Sequence, residues 1–214
     1  MKRIITIAGM PGSGKSWAAR ELAAQLSASG QPARWIDLDA EVERRAGKAV
    51  ARIFAEDGEA AFRSLEKECL MDILEGDFST PSYRTSVEMT KNNPVEMTKN
   101  NPVEMAEKGT VEHSSCHVEH SSCHVERSRD ISFLALGGGT LEDPENLELV
   151  KKNSYCIWLD TPIEVIAERL WEQGAIDSRP LLASAKTKKE LTELLKNLYE
   201  TRKANYQAAA KEVR

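Results

Sequence analysis

Apolar residues recur along this chain in two rhythms. Ile4-Ile5-Thr6-Ile7-Ala8 is a short, largely β-branched apolar run closed by glycine, which predicts a buried strand. From Trp17 to Leu26 the rhythm becomes helical, with Ala18, Leu22, Ala23 and Leu26 on one face. Gly30-Gln31-Pro32 interrupts, and Ala33–Ile36 predicts a second strand. A helix over Ala40–Arg45 follows, ended by Gly47. Ala49 to Glu56 carries Val50, Ile53 and Phe54 on one face, and Gly58 opens a longer helix to about Leu74. Further on, Ile131–Leu136 predicts a strand that runs into Gly137-Gly138-Gly139, and Pro144–Lys152 a short helix. Tyr155–Leu159 predicts another strand. Pro162 suits the first turn of a helix whose face is Ile163, Ile166, Ala167 and Leu170. The last helix spans about Thr187 to Ala210, with Leu191, Leu194, Leu195 and Leu198 on one face. Strands alternating with helices predict an α/β fold: a doubly wound, mainly parallel sheet of four to five strands, flanked by helices on both faces.

Both rhythms stop between about Asp77 and Asp130. Val87–Pro94 is repeated as Val95–Pro102, Val103-Glu104-Met105 begins a third copy, and Val111–His117 is repeated as Val118–His124. Polar, short-period repeats cannot bury enough apolar surface to order themselves. The expected organisation is one domain, residues 1–76 with 131–214, carrying residues 77–130 as an inserted low-complexity loop. Loop closure costs grow slowly enough with length to tolerate it. All four histidines, His113, His117, His120 and His124, lie there beside Cys116 and Cys123. Imidazole and thiolate are zinc ligands, but this spacing arises by duplication and matches no familiar finger.

Composition narrows the picture. A chain of 214 residues is long enough for one α/β core, and its formal charge of −5 offers no general nucleic-acid surface. Aromatic residues at 6% do not favour base stacking either. No apolar run approaches the ~20 residues that span a bilayer, so no membrane partner is expected. The cysteines Cys69, Cys116, Cys123 and Cys156 form no secreted-type framework and read as reduced thiols, which points to a cytoplasmic protein. A monomer is expected.

The chemistry begins at Gly9-Met10-Pro11-Gly12-Ser13-Gly14-Lys15-Ser16, which fits the phosphate-binding loop G-x-x-x-x-G-K-[ST] between a strand and a helix. Such a loop makes a nest of backbone N–H groups at a helix N-terminus, suited to a polyphosphate. Gly12, Ser13, Gly14, Lys15, Ser16 and Trp17 are the expected nucleotide-binding residues. Lys15 would reach the β- and γ-phosphates and Ser16 would ligate Mg²⁺. Asp37 and Asp39 follow the second strand, at the strand end where open α/β sheets bind ligands. One such carboxylate can help to hold Mg²⁺ while the other faces the acceptor, and Asp39 is also expected to cap the following helix. Arg63 and Glu66 share a helical face, so Glu66 can hold the guanidinium while it grips an anion.

The ordered set is more discriminating than any of its parts. Gly9–Ser16, Asp37-x-Asp39-x-x-x-Glu43, Gly58-Glu-x-x-Phe62-Arg63-x-x-Glu66, Gly137-Gly138-Gly139, Arg179-Pro-Leu-Leu182 and Arg202-x-x-x-Tyr206 together resemble shikimate kinases. The resemblance implies a phosphate-loop kinase fold and transfer of the γ-phosphoryl group of ATP to the 3-hydroxyl of shikimate, with Mg²⁺. It implies that Asp37 joins Ser16 at the metal and that Asp39 orients the acceptor hydroxyl. Arg63 and Arg202 would clamp the substrate carboxylate, and Gly138 and Gly139 would line the acid pocket. Arg169 would lie against adenine, and Arg179 would close over the phosphates from a lid. Two features depart from the family pattern. One is the inserted repeat, where the family has a short connection. The other is the end at Lys211-Glu-Val-Arg214, where the family continues with a last strand, an adenine-contacting loop and a helix. The strand Tyr155–Leu159 is therefore expected to present an exposed sheet edge. Two alternatives stay open: another phosphate-loop kinase of small molecules, such as a gluconate-type kinase, and a nucleotide-binding pseudoenzyme.

Overall fold

Five parallel strands, in the order β2-β3-β1-β4-β5, carry the molecule. The computed structural model describes residues 3–75, 131–174 and 181–214. The repeats, all four histidines, Cys116, Cys123 and Arg179 lie outside the described residues.

Strand β1 (Arg3–Gly9) is central and almost continuously buried, as a strand covered on both faces must be. β3 (Ile131–Ala135) pairs on one side of it and β4 (Tyr155–Leu159) on the other. The period of two in the strands separates the faces. Ile7, Phe133 and Ala135 pack with Ala19 and Ala23 of helix α1 (Lys15–Ala28). The helical stripe centres on Ala19, with Ala18, Leu22 and Leu26 only partly buried, because small side chains let the helix lie close on the sheet. On the opposite face, Trp158 stacks against Tyr206 of the long C-terminal helix, with ring centroids 5.9 Å apart. There too the Thr6 hydroxyl bonds the Ser154 hydroxyl at 3.0 Å. Strand β2 (Ala33–Asp37) is one edge, half-buried throughout. Helices α2 (Leu38–Ala46), α3 (Val50–Glu56) and α4 (Gly58–Glu75) follow it. A 3₁₀ turn (Thr140–Glu142) and helix α5 (Pro144–Asn153) lie between β3 and β4. Helices α6 (Ile163–Glu172) and α7 (Lys188–Ala209) come after β4. Pro162 occupies the N-cap position of α6, just ahead of its first turn.

The expectation of an unpaired edge at β4 is overturned. Ala210 is extended (φ −67°, ψ 133°), so the chain leaves α7 and returns along β4. β5 (Glu212–Val213) then pairs with Ile157 and Trp158. Lys211 N donates to Cys156 O at 2.8 Å, Arg214 N to Trp158 O at 2.8 Å and Asp160 N to Arg214 O at 2.7 Å. A polar two-residue strand has no hydrophobic period, so its pairing is invisible in the letters. Cys69 and Cys156 are free thiols, both buried. Among the described residues no helix is long and apolar enough to cross a membrane.

Candidate active site

Because β3 and β4 flank β1 on opposite sides, a crevice opens at the carboxyl end of β1, where the phosphate loop begins. The loop's conformation depends on glycine. Gly9, Gly12 and Gly14 have φ of 147°, 84° and 95°. A Cβ on Gly9 would come within 2.7 Å of the Leu159 carbonyl oxygen, and one on Gly12 within 2.9 Å of Leu170 Cγ. Gly14 caps α1 without any side-chain hydrogen bond, leaving the helix's first N–H groups for an anion. Lys15 is buried and donates from Nζ to the Met10 carbonyl at 2.9 Å, which holds the ammonium over the loop. Ser13 Oγ is buried without a hydrogen-bond partner among the described residues.

Next to the loop, the Ser16 hydroxyl donates to the Asp37 carboxylate. Two hard oxygen donors thus stand side by side at the mouth of the loop, a set that fits Mg²⁺. The helix-capping role expected of Asp39 belongs to Asp37, whose Oδ1 accepts from Ala40 N at 3.3 Å. Helix α2 starts at Leu38, so Asp39 sits inside its first turn and its carboxylate is left over for the cleft. Asp39 is exposed at the cleft, with the Gly137 backbone close against its carboxylate, where a Cβ would lie 2.9 Å from Oδ1. Desolvation, then the neighbouring charge of Asp37, pushes its pKa from 3.8 to about 6; Lys15 pulls it down, and Glu66 and Glu43 push it up. Asp39 therefore stands between Lys15 of the phosphate loop and Glu66, the partner of Arg63.

That cluster is built from three elements. Arg63 on α4 donates from Nη1 to Glu66 Oε2 at 2.7 Å and from Nη2 to Glu59 at 3.3 Å. Burial works against its charge, but Glu66, Glu142 and Glu59 outweigh that and hold the guanidinium above its ordinary pKa. Glu66 is fully buried and also accepts from the Thr140 hydroxyl. Arg202 on α7 is 2% exposed and donates from Nε to Glu142 at 2.9 Å, while its buried Nη1, near the Tyr206 hydroxyl, has no well-placed acceptor among the described residues. The glycine run fits between these groups. A Cβ on Gly137 would lie 2.6 Å from Glu66 Oε1, one on Gly138 2.7 Å from Pro11 and one on Gly139 2.6 Å from Arg63 Nη2. The Tyr206 hydroxyl donates to the Gly138 carbonyl at 2.5 Å, and burial holds that phenol protonated far above its usual range.

One cleft of about 1070 Å³ is lined by Gly12, Ser13, Gly14, Lys15, Ser16, Trp17, Asp37, Asp39, Arg63, Gly138, Gly139, Arg169 and Arg202. Of the nucleotide- and acid-site residues expected from the sequence, Arg179 lies outside the described residues. Glu142, Thr140 and Tyr206 also shape the cluster, joined to it by contacts between distant segments that local spacing does not reveal.

A family model described as shikimate kinase (SKI) matches residues 11–82 and 112–214. The chain belongs to the shikimate kinase family. Members are ATP-dependent phosphotransferases of aromatic amino-acid biosynthesis, and this chain is a shikimate kinase by that assignment. It is 31% identical over 207 residues to the shikimate kinase of Persephonella marina, covering 97% of this chain and 85% of that one. It is also 31% identical over 202 residues to the bifunctional shikimate kinase/3-dehydroquinate synthase of Thermotoga maritima. That match takes in 94% of this chain but spans only 27% of the bifunctional protein, so the synthase activity is not carried over. Its fold matches shikimate kinase from Acinetobacter baumannii in complex with shikimate (TM-score 0.62, 21% identity, 100% of this chain and 83% of that one). It also matches the Bacteroides thetaiotaomicron shikimate kinase (TM-score 0.63, 22% identity, 99% and 85%). The family model's break, between residues 82 and 112, takes in the first repeat tract, residues 87–105.

Proposed function

We propose that this shikimate kinase works by holding ATP at the phosphate loop and shikimate at the Arg63–Arg202 cluster, with Asp39 between them. The observation that carries this reading is the shared cleft, which Lys15, Asp39, Arg63 and Arg202 all line. Backbone N–H groups of the loop and Lys15 hold the β- and γ-phosphates. Ser16 and Asp37 hold Mg²⁺, which when bound neutralises charge on those phosphates. Arg63 and Arg202 fix the shikimate carboxylate, which orients the ring and brings its 3-hydroxyl towards Asp39. Asp39 accepts the hydroxyl proton as the oxygen bonds to the γ-phosphorus and the bond to the β-phosphate oxygen breaks. The products are shikimate 3-phosphate and ADP. Arg169 would meet the adenine, and Arg179, which precedes α7 in the chain, would neutralise phosphoryl oxygens.

The deciding assay is ADP release with ATP and Mg²⁺, with and without shikimate, and with gluconate as a rival acceptor. Shikimate-dependent release is expected; gluconate-dependent release would move the chain to another kinase class. No release from folded protein would make it a pseudoenzyme. Arg63→Ala should raise KM for shikimate roughly 10- to 100-fold, the worth of a charge-assisted hydrogen bond, with a smaller change in kcat. An unchanged KM would remove Arg63 from the clamp.

The inserted tract is proposed to be dispensable. A variant lacking residues 80–128 should keep its circular dichroism spectrum and its shikimate-dependent turnover within a fewfold of the full chain, since no residue assigned to the cleft lies there. Loss of turnover in a folded deletion variant would give the tract a role.

A further inference from the structure

The cluster assigned to the substrate carboxylate already contains a carboxylate of its own. Glu142 closes the 3₁₀ turn that follows the glycine run. Its Oε1 accepts from Arg202 Nε at 2.9 Å and its Oε2 from Arg202 Nη2 at 3.4 Å. The same Oε2 lies 3.8 Å from Arg63 Nη2. One anion thus faces both guanidiniums that the substrate acid must engage. Glu66 balances Arg63 and Glu142 balances Arg202, so the occupied cluster offers an incoming anion little net positive charge.

The two glutamates are not equivalent. Glu66 is fully buried and is also tied to Thr140, so it is part of the frame. The Glu142 side chain is 40% exposed, and a rotamer change can carry its carboxylate into water at small solvation cost. Beneath it, Arg202 is 2% exposed, and among the described residues its Nη1 has no well-placed acceptor, only the nearby Tyr206 hydroxyl.

We propose that Glu142 is an internal stand-in for the substrate's carboxylate: it occupies the clamp in the empty enzyme and is displaced by the acid that binds. This rests on the reading of Arg63 and Arg202 as the carboxylate clamp. Two consequences follow. Apparent affinity is lowered by the fraction of molecules whose clamp Glu142 occupies. Discrimination is sharpened, because a neutral polyol cannot replace Glu142 as counter-ion to Arg202.

The test compares wild type, Glu142→Gln and Glu142→Ala in three measurements. These are KM and kcat for shikimate at saturating ATP, calorimetric binding of shikimate, and melting with and without it. In both variants KM and Kd for shikimate should fall several-fold, with kcat moving far less. Without ligand the variants should melt lower than wild type, because Arg202 has lost its counter-ion. Saturating shikimate should then raise their Tm by more than it raises the wild type's. A glutamate that merely orients Arg202 gives the reverse: KM rises and the ligand-induced gain in Tm shrinks. An unchanged or raised KM with active wild type overturns the role of Glu142 alone. Wild type that neither turns over nor binds shikimate overturns the clamp and, with it, this role. If the alanine variant unfolds, the isosteric glutamine variant still decides.

Discussion

Lys15→Met should leave a folded protein whose phosphoryl transfer falls at least about a thousandfold, the scale seen when a cation that neutralises the transferring group is removed. The substitution is chosen for its shape. Methionine follows the unbranched path of the lysine stem, so the buried side chain is replaced with little change of volume. What disappears is the ammonium and its hydrogen bond to the Met10 carbonyl. Losing that bond costs stability on the order of 1 kcal/mol, which a domain can absorb. The electrostatic loss reaches further than the phosphates. Lys15 pulls down the pKa of Asp39, so its removal should also leave a larger fraction of that carboxyl protonated at neutral pH. Steady-state ADP release measures the first effect, and calorimetric binding of shikimate shows whether the acid cluster survives intact. Turnover within tenfold of wild type would mean that the loop does not cradle the reacting phosphates.

Most of the framework behind these expectations was legible because it is local. A phosphate loop announces itself through the glycines that its positive φ angles need and through the strand and helix on either side. Arg63 and Glu66 are three residues apart on one helix, so their pairing follows from helical geometry. What could not be read involves either a boundary or a long-range contact. Asp37 and Asp39 are two residues apart, and which of them caps α2 depends on whether the helix begins at Leu38 or Ala40. The covering of β4 depends on two residues, Glu212 and Val213, that follow a bend after α7 and carry no pattern of their own. Glu142 meets Arg202 only because the turn after β3 and the C-terminal helix converge. A glutamate in that turn looks like any solvated acid until the fold puts two guanidiniums around it.

Asp39→Asn should abolish most turnover and, at neutral pH, make the protein more stable. The two effects share a cause. A carboxylate that takes the acceptor's proton contributes roughly 10²- to 10⁴-fold, and the isosteric amide cannot accept that proton. The same carboxylate is held where burial and the charge of Asp37 disfavour its ionised form, with a pKa raised from 3.8 to about 6. The sign of the stability effect follows from linkage. A folded pKa above the unfolded one means that folding favours the protonated acid. Wild type is therefore helped at pH below about 4 and loses that help as the pH rises through about 6. Asparagine mimics the protonated acid at every pH. The variant should melt higher than wild type at pH 8, and the two curves should converge as the pH falls towards 4, within the window those two pKa values define. Each kcal/mol relieved would appear as about 2–4 °C in Tm for a domain of this size. Melting the ligand-free proteins across that range isolates the effect from the titration of ATP. If turnover of the variant stays within tenfold of wild type, Asp39 is not the proton acceptor. If the variant melts lower at pH 8, the carboxylate is not held against its solvation, and the coupling between catalytic readiness and instability at this site is lost with it.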